Sequence, residues 1–171
     1  MRLYHYTAIS RIESILAVGL TRGEVVINFD HVLNGVNLTT DPSSSGHGLG
    51  SGSFFTPQIA TRLGLHLGAN GRVPFFPNKR KVRISVDIER SSVTRWLRWS
   101  LKNVDAVTRE QLIQSGGGMQ KARSWYFSFD PIYPDNFEAV EISQDGEWID
   151  HREYSGPMVE ELPDHALVTG Y

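Results

Sequence analysis

The sequence predicts an α+β domain with a mostly antiparallel sheet and flanking helices. Three observations carry that expectation. Strand-like segments outnumber helical ones, and the helical segments cluster between strands instead of alternating with them one for one. The strongest strand, "KVRISVDIE", puts Val82, Ile84, Val86 and Ile88 on one face and Arg83, Ser85 and Asp87 on the other, the pattern of a half-buried antiparallel strand. "FEAVEIS" and "EWIDHRE" flank an Asp145-Gly146 pair, a strong hairpin signal.

Taken in order, "LYHYT" reads as a first strand with Leu3, His5 and Thr7 on one face and Tyr4 and Tyr6 on the other. "AISRIESILAVGL" follows with Ile9, Ile12, Ile15 and Leu16 at helical spacing, Thr7 as the cap and Gly19 as the stop. "EVVINF" and "GVNLTT" are short strands. "DPSSSGHGLGSGSFFTP", residues 41–57, is too rich in Gly and Ser for regular structure, and a loop of this length in a small domain is often functional. In "SSVTRWLRWSLKNV", Val93, Trp96, Leu97 and Leu101 form one helical stripe, with the tryptophans read as core. "AVTREQLIQS" is a second helix, stopped by Gly116 to Gly118. "SWYFSFDPIYP" is an aromatic strand ended by Pro131 and Pro134.

The chain of 171 residues suits one domain over 1–171, and neither a repeat nor a linker is visible. Its 40% apolar and 21% charged residues are those of a globular protein. A net charge of −2 argues against a protein that coats DNA. With no cysteine, a disulfide framework, a thiolate metal site and a cysteine nucleophile are all excluded. No apolar run approaches the ~18 residues of a membrane span and no secretory leader is visible, so the expectation is a soluble, cytoplasmic protein. The histidines at 5, 31, 47, 66, 151 and 165 are scattered without "HExxH" spacing, so no metal is expected.

The residues with chemistry to offer are His5, the threonines of "NLTTD", the Ser/Gly loop with His47, and the glutamates of "FEAVEI". A glutamate in an apolar strand is costly to bury without a partner. By strict alternation Glu138 shares a face with Val140 and Ile142, and Glu141 shares one with Phe137 and Ala139. The Gly-rich loop offers backbone N–H groups that can cradle phosphate, with His47 as an added charge, but it lacks the "GK[ST]" ending of a P-loop.

"LYHYT" running into "AISRIESILAVGL", then "VNLTTDP", resembles the opening of proteins with the ADP-ribosyltransferase fold, in particular the diphtheria-toxin-like and poly-ADP-ribose-polymerase-like branch with its His-Tyr-Glu triad. The resemblance implies a split, mostly antiparallel sheet and NAD as substrate. It implies that His5 holds the ribose and amide of NAD, with Tyr6 and Thr7 beside it. Thr39 or Thr40 falls where the branch usually has tyrosine, so Tyr6, Tyr126 or Trp125 would supply the stacking ring. Glu138, or Glu141, would polarise a ribose hydroxyl as nicotinamide leaves. Ser45, Gly46 and His47 would lie in the loop over the cofactor.

The activity so implied is NAD-dependent mono-ADP-ribosyl transfer to a protein or nucleic-acid acceptor, as in bacterial toxins and phage or mobile-element proteins. Two alternatives stand beside it: a non-catalytic module that sequesters NAD or a related nucleotide, and RNA 2′-phosphotransferase-like chemistry using Arg2 and His5.

Overall fold

The computed structural model describes residues 1–28, 30–52, 73–75, 77–158 and 166–168, with 73–75 and 166–168 described as backbone. The expected α+β class is what the chain forms. Eleven strands lie among the described residues: β1 (Arg2–Thr7), β2 (Glu24–Asn28), β3 (His31–Asn34), β4 (Val36–Thr39), β5 (Val73–Phe75), β6 (Val82–Asp87), β7 (Thr94–Arg95), β8 (Trp125–Ser128), β9 (Phe137–Gln144), β10 (Glu147–Asp150) and β11 (Ala166–Val168). Four helices accompany them: α1 (Ile12–Val18), α2 (Trp96–Asn103), α3 (Ala106–Ser115) and α4 (Met119–Ala122).

Seven strands form one antiparallel sheet in the order β10-β9-β6-β1-β4-β8-β7. β2 and β3 make a separate hairpin, and β5 pairs in parallel with β11. The two apolar faces of the large sheet bury two clusters. Leu3, Val36, Leu38, Val82, Ile84, Val86, Val140 and Ile142 meet Ile12 and Ile15 of α1 on one face. On the other, Phe127 of β8 packs with Val25, Trp96 of α2, Ile113 of α3 and Ala122 of α4.

The sheet is not evenly zipped. β1 pairs with β6 through six residues, from Arg2↔Asp87 to Thr7↔Val82, but with β4 through Tyr4↔Thr39 alone. Beyond that pair the two strands part.

Local chemistry explains the ends of the elements. Asp105 accepts from the backbone N–H of Val107 and Thr108 and so caps α3. Gly19 ends α1 at φ 86, in the region that glycine tolerates, and a Cβ there would crowd the Ile132 carbonyl. Asp145 and Gly146, at φ 52 and 89, turn the β9–β10 hairpin.

Four expectations need correction. Thr7 is not the cap of α1: it ends β1, and a 3-10 turn over Ile9–Arg11 leads into the helix without a side-chain cap. Helix α2 starts only at Trp96, because Thr94 and Arg95 pair with β8 as a short strand. Its expected stripe therefore divides: Val93 joins one cluster, Trp96 the other, and Leu101 is 67% exposed. The fourth concerns β9, where the register slips between Ser85↔Ala139 and Val86↔Phe137. This β-bulge reverses the alternation. Phe137 packs with the cluster of Val140 and Ile142, while Glu138 lines the same small pocket as Ala139 and Glu141.

Ile84→Ala should cost about 2–5 kcal/mol of stability, because Ile84 is completely buried in β6, an interior strand of the sheet. Leu101→Ala should change stability by less than about 0.5 kcal/mol, although the helical pattern puts it on the buried stripe. Urea denaturation of the two variants distinguishes the packing described here from the simple stripe.

Candidate functional site

Where β1 and β4 part, a cleft of ≈ 900 Å³ opens between them. His5, Tyr6 and Thr7 from β1, Asn37, Leu38 and Thr39 from β4, and Trp125 and Tyr126 from β8 line it, together with His47. Six of the residues singled out from the sequence (His5, Tyr6, Thr7, Thr39, His47 and Tyr126) thus meet in one place. Thr40, Ser45 and Gly46 are not among its described lining residues.

Parting two strands leaves backbone groups without ladder partners, and such groups need replacements. The His5 side chain of β1 supplies one for β4, and that of Tyr6 holds the loop beyond it. The ring Nδ1 of His5 lies 2.8 Å from the Asn37 carbonyl, and the Tyr6 hydroxyl donates to the Asp41 carbonyl at 3.0 Å. A carbonyl only accepts, so Nδ1 carries the proton. Burial pushes the His5 pKa below the ordinary histidine value, with Lys79 adding to it and the Asn37 carbonyl opposing it. The ring is therefore neutral near pH 7, and its Nε2 is an acceptor. Burial likewise raises the Tyr6 phenol, which stays protonated.

Asn37 is a second organising residue that the sequence reading passed over. Its carbonyl takes the His5 proton while its side chain donates to the Glu24 carbonyl at 2.9 Å, tying the β2–β3 hairpin to the cleft wall. A lone Asn between Val36 and Leu38 was the available signal.

The Gly/Ser loop, over its described residues 41–52, contains neither a helix nor an extended strand, but it is firmly attached. Trp125 Nε1–H donates to His47 Nδ1 at 2.8 Å, the His47 N–H donates to the Gly116 carbonyl at 2.9 Å, and Asp41 pairs with Lys121. The His47 ring stacks on Tyr6 with centroids 6.1 Å apart. Residues 53–57 of the expected loop lie outside the described residues, as do His66 and His165.

His47 is not the added charge that its position suggested. An indole N–H can only donate, so His47 Nδ1 must be bare, and Nε2 donates to the Ser43 carbonyl at 3.2 Å. Burial is the main influence lowering its pKa, helped by Lys121 and opposed by Asp41. Both ring nitrogens are spent on structure.

The threonine hydroxyls divide similarly. Thr39 Oγ1 bonds Ser124 Oγ at 2.7 Å and accepts the Asp41 N–H, while the Thr40 N–H donates to the Ser124 carbonyl. Thr39 is thus a buried strut rather than a hydroxyl presented to a ligand.

Compared with known proteins, the chain matches no family model, no curated protein and no solved structure.

The two glutamates stand elsewhere. Together with Arg2, Tyr4, Arg83, Ser85 and Ala139 they line a second, smaller pocket of ≈ 220 Å³. Glu138 is held by Arg2 at 2.5 Å, and Glu141 takes a two-pronged bond from Arg83 at 2.8 and 3.0 Å. Arg83 also reaches the Pro42 carbonyl and lies over the Trp148 ring, 4.5 Å from its centroid. Arg2 and His5 are accordingly in different pockets. Among the described lining residues of the large cleft, the carboxylate is Glu24.

No helix among the described residues is long and apolar enough to cross a membrane. None of their His, Asp or Glu side chains gather in a group able to hold a metal ion.

Acid should destabilise the protein. Unfolded histidine titrates near 6.5, and the folded values of His5 and His47 lie lower, so below about pH 6.5 the unfolded chain binds more protons. Stability present above that pH is lost as the pH falls toward the folded values. The urea midpoint should drop between pH 7 and 5, and should drop less in His47→Gln.

Proposed function

We propose that the protein binds NAD, or a nucleotide of that class, in the cleft between β1 and β4. The observation that carries this reading is the convergence of His5, Tyr6, Trp125 and Tyr126 on one opening in a parted sheet. Its ≈ 900 Å³ lies within the usual range of small-molecule sites, roughly 300–1,000 Å³. The neutral His5 ring offers an acceptor nitrogen beside aromatic surfaces, a combination suited to hydroxyls and a stacked base. The ADP-ribosyltransferase resemblance of "LYHYT" and "VNLTTDP" belongs to the same two strands.

Between transferase and binding module, one observation favours the module. Glu138 and Glu141 are both engaged by arginines in the neighbouring pocket, which shares Tyr4 with the cleft but is not lined by His5. ADP-ribosyl transfer to a protein or nucleic acid, with a carboxylate stabilising the ribosyl cation, is the second reading; it requires one of them to reach the bound nucleotide. The 2′-phosphotransferase reading loses its Arg2–His5 pairing.

Thermal denaturation with NAD, followed in parallel with free nicotinamide, tests the proposal. A site filled to about 100 times its dissociation constant adds about 2.7 kcal/mol, several degrees in a domain of this size. His5→Ala should weaken the shift, whereas Glu138→Gln and Glu141→Gln should leave it intact. Nicotinamide release that disappears in Glu138→Gln or Glu141→Gln, with binding retained, would replace the module by the transferase. Absence of any NAD-dependent shift would overturn the nucleotide reading itself.

A further inference from the structure

The cleft carries an uneven charge. Three cationic side chains, Arg11, Arg22 and Lys79, line it against the single carboxylate of Glu24 among its described residues. They come from separate segments: the turn before α1, the α1–β2 connection, and the turn before β6. None has an ion-pair partner among the described residues, whereas Arg2, Arg83, Lys121 and Arg152 each hold a carboxylate. Lys79 is near enough to His5 to disfavour its charged form. Three cations against one carboxylate leave the cleft with excess positive charge, which an anion offsets.

Much of the glycine-rich loop's backbone is already committed. The N–H groups of Ser43, Ser45 and His47 already donate to Asp41, Ser43 and Gly116. His47 is neutral, Ser45 and Gly46 are not among the described lining residues, and of its described residues the loop brings only Gly48 and Leu49 to the cleft besides His47.

We infer that Arg11, Arg22 and Lys79 form a diphosphate subsite, in which these side-chain cations supply the charge that holds the pyrophosphate of the bound nucleotide. The inference rests on the nucleotide reading for its ligand, but its own chemistry requires only a diphosphate. Guanidinium groups suit this role through paired N–H donors, and lysine adds a point charge.

Isothermal titration at low and moderate salt, with NAD, pyrophosphate and nicotinamide riboside as probes, tests it. Nicotinamide riboside keeps the base and ribose but lacks the diphosphate. The parent protein should bind NAD more tightly than nicotinamide riboside, and NAD binding should weaken as salt rises. Arg11→Gln, Arg22→Gln and Lys79→Gln should each weaken NAD by about three- to tenfold. The triple variant should lose most of the salt dependence, and Arg11→Lys and Arg22→Lys should recover part of the affinity. The lysine variants, checked by thermal denaturation without ligand, guard against simple misfolding.

NAD binding of unchanged strength and salt dependence in a folded triple variant would overturn the subsite and leave the nucleotide reading standing. Pyrophosphate binding that the triple variant loses, in a protein indifferent to NAD, would support the subsite and overturn the NAD reading. A parent protein that binds none of the three probes overturns both.

Discussion

The parting of β1 from β4 is the constraint on which the rest of the structure depends. A sheet that opens in its middle exposes carbonyls and N–H groups that a ladder would have paired, and unpaired buried groups are costly. β1 meets this with its own side chain: His5 takes the Asn37 carbonyl of β4, while Tyr6 holds the Asp41 carbonyl at the start of the Gly/Ser loop. A histidine between two tyrosines on a first strand is thereby explained physically. Alternation sends His5 to one face and Tyr6 to the other, so one strand holds both β4 and the Gly/Ser loop.

The surrounding elements brace that opening. β6 holds β1 along its full length, and β8 holds β4 through four consecutive pairs, so each half of the sheet is anchored away from the gap. The Trp125–His47 bond fastens the Gly/Ser loop to the β8 side, and the stack of His47 on Tyr6 carries it across to β1. Asn37 ties the β2–β3 hairpin to the same wall. A cleft built in this way is largely preformed, which lowers the ordering cost of binding a ligand.

Local signals in the sequence were strong enough to read much of the fold. The alternation over residues 82–88, the Asp145-Gly146 turn and the run from β1 into α1 each depend on neighbouring residues alone. What depended on distant pairing was not legible in the same way. Thr94 and Arg95 leave the helical pattern because β8, some thirty residues on, recruits them. The parallel pairing of β5 with β11 joins segments with no local mark. The bulge in β9 did leave a trace, since Phe137, Val140 and Ile142 are spaced three and then two residues apart, which strict alternation forbids. At the site, residue types suggested His5, Tyr6 and Tyr126, but only the fold shows that Glu138 and Glu141 are neutralised by Arg2 and Arg83. His47 looked like a cation in sequence and is a structural acceptor because Trp125, 78 residues away, donates to it.

The most direct measurement is an amide and indole nuclear magnetic resonance map of the protein titrated with NAD. Shifts should concentrate at His5, Tyr6, Asn37 and Leu38 and at the Trp125 indole, with Arg2, Glu138 and Ala139 unmoved. Shifts centred instead on the Arg2–Glu138 pocket, or no shifts at all, would contradict the assignment of the β1–β4 opening as a nucleotide cleft.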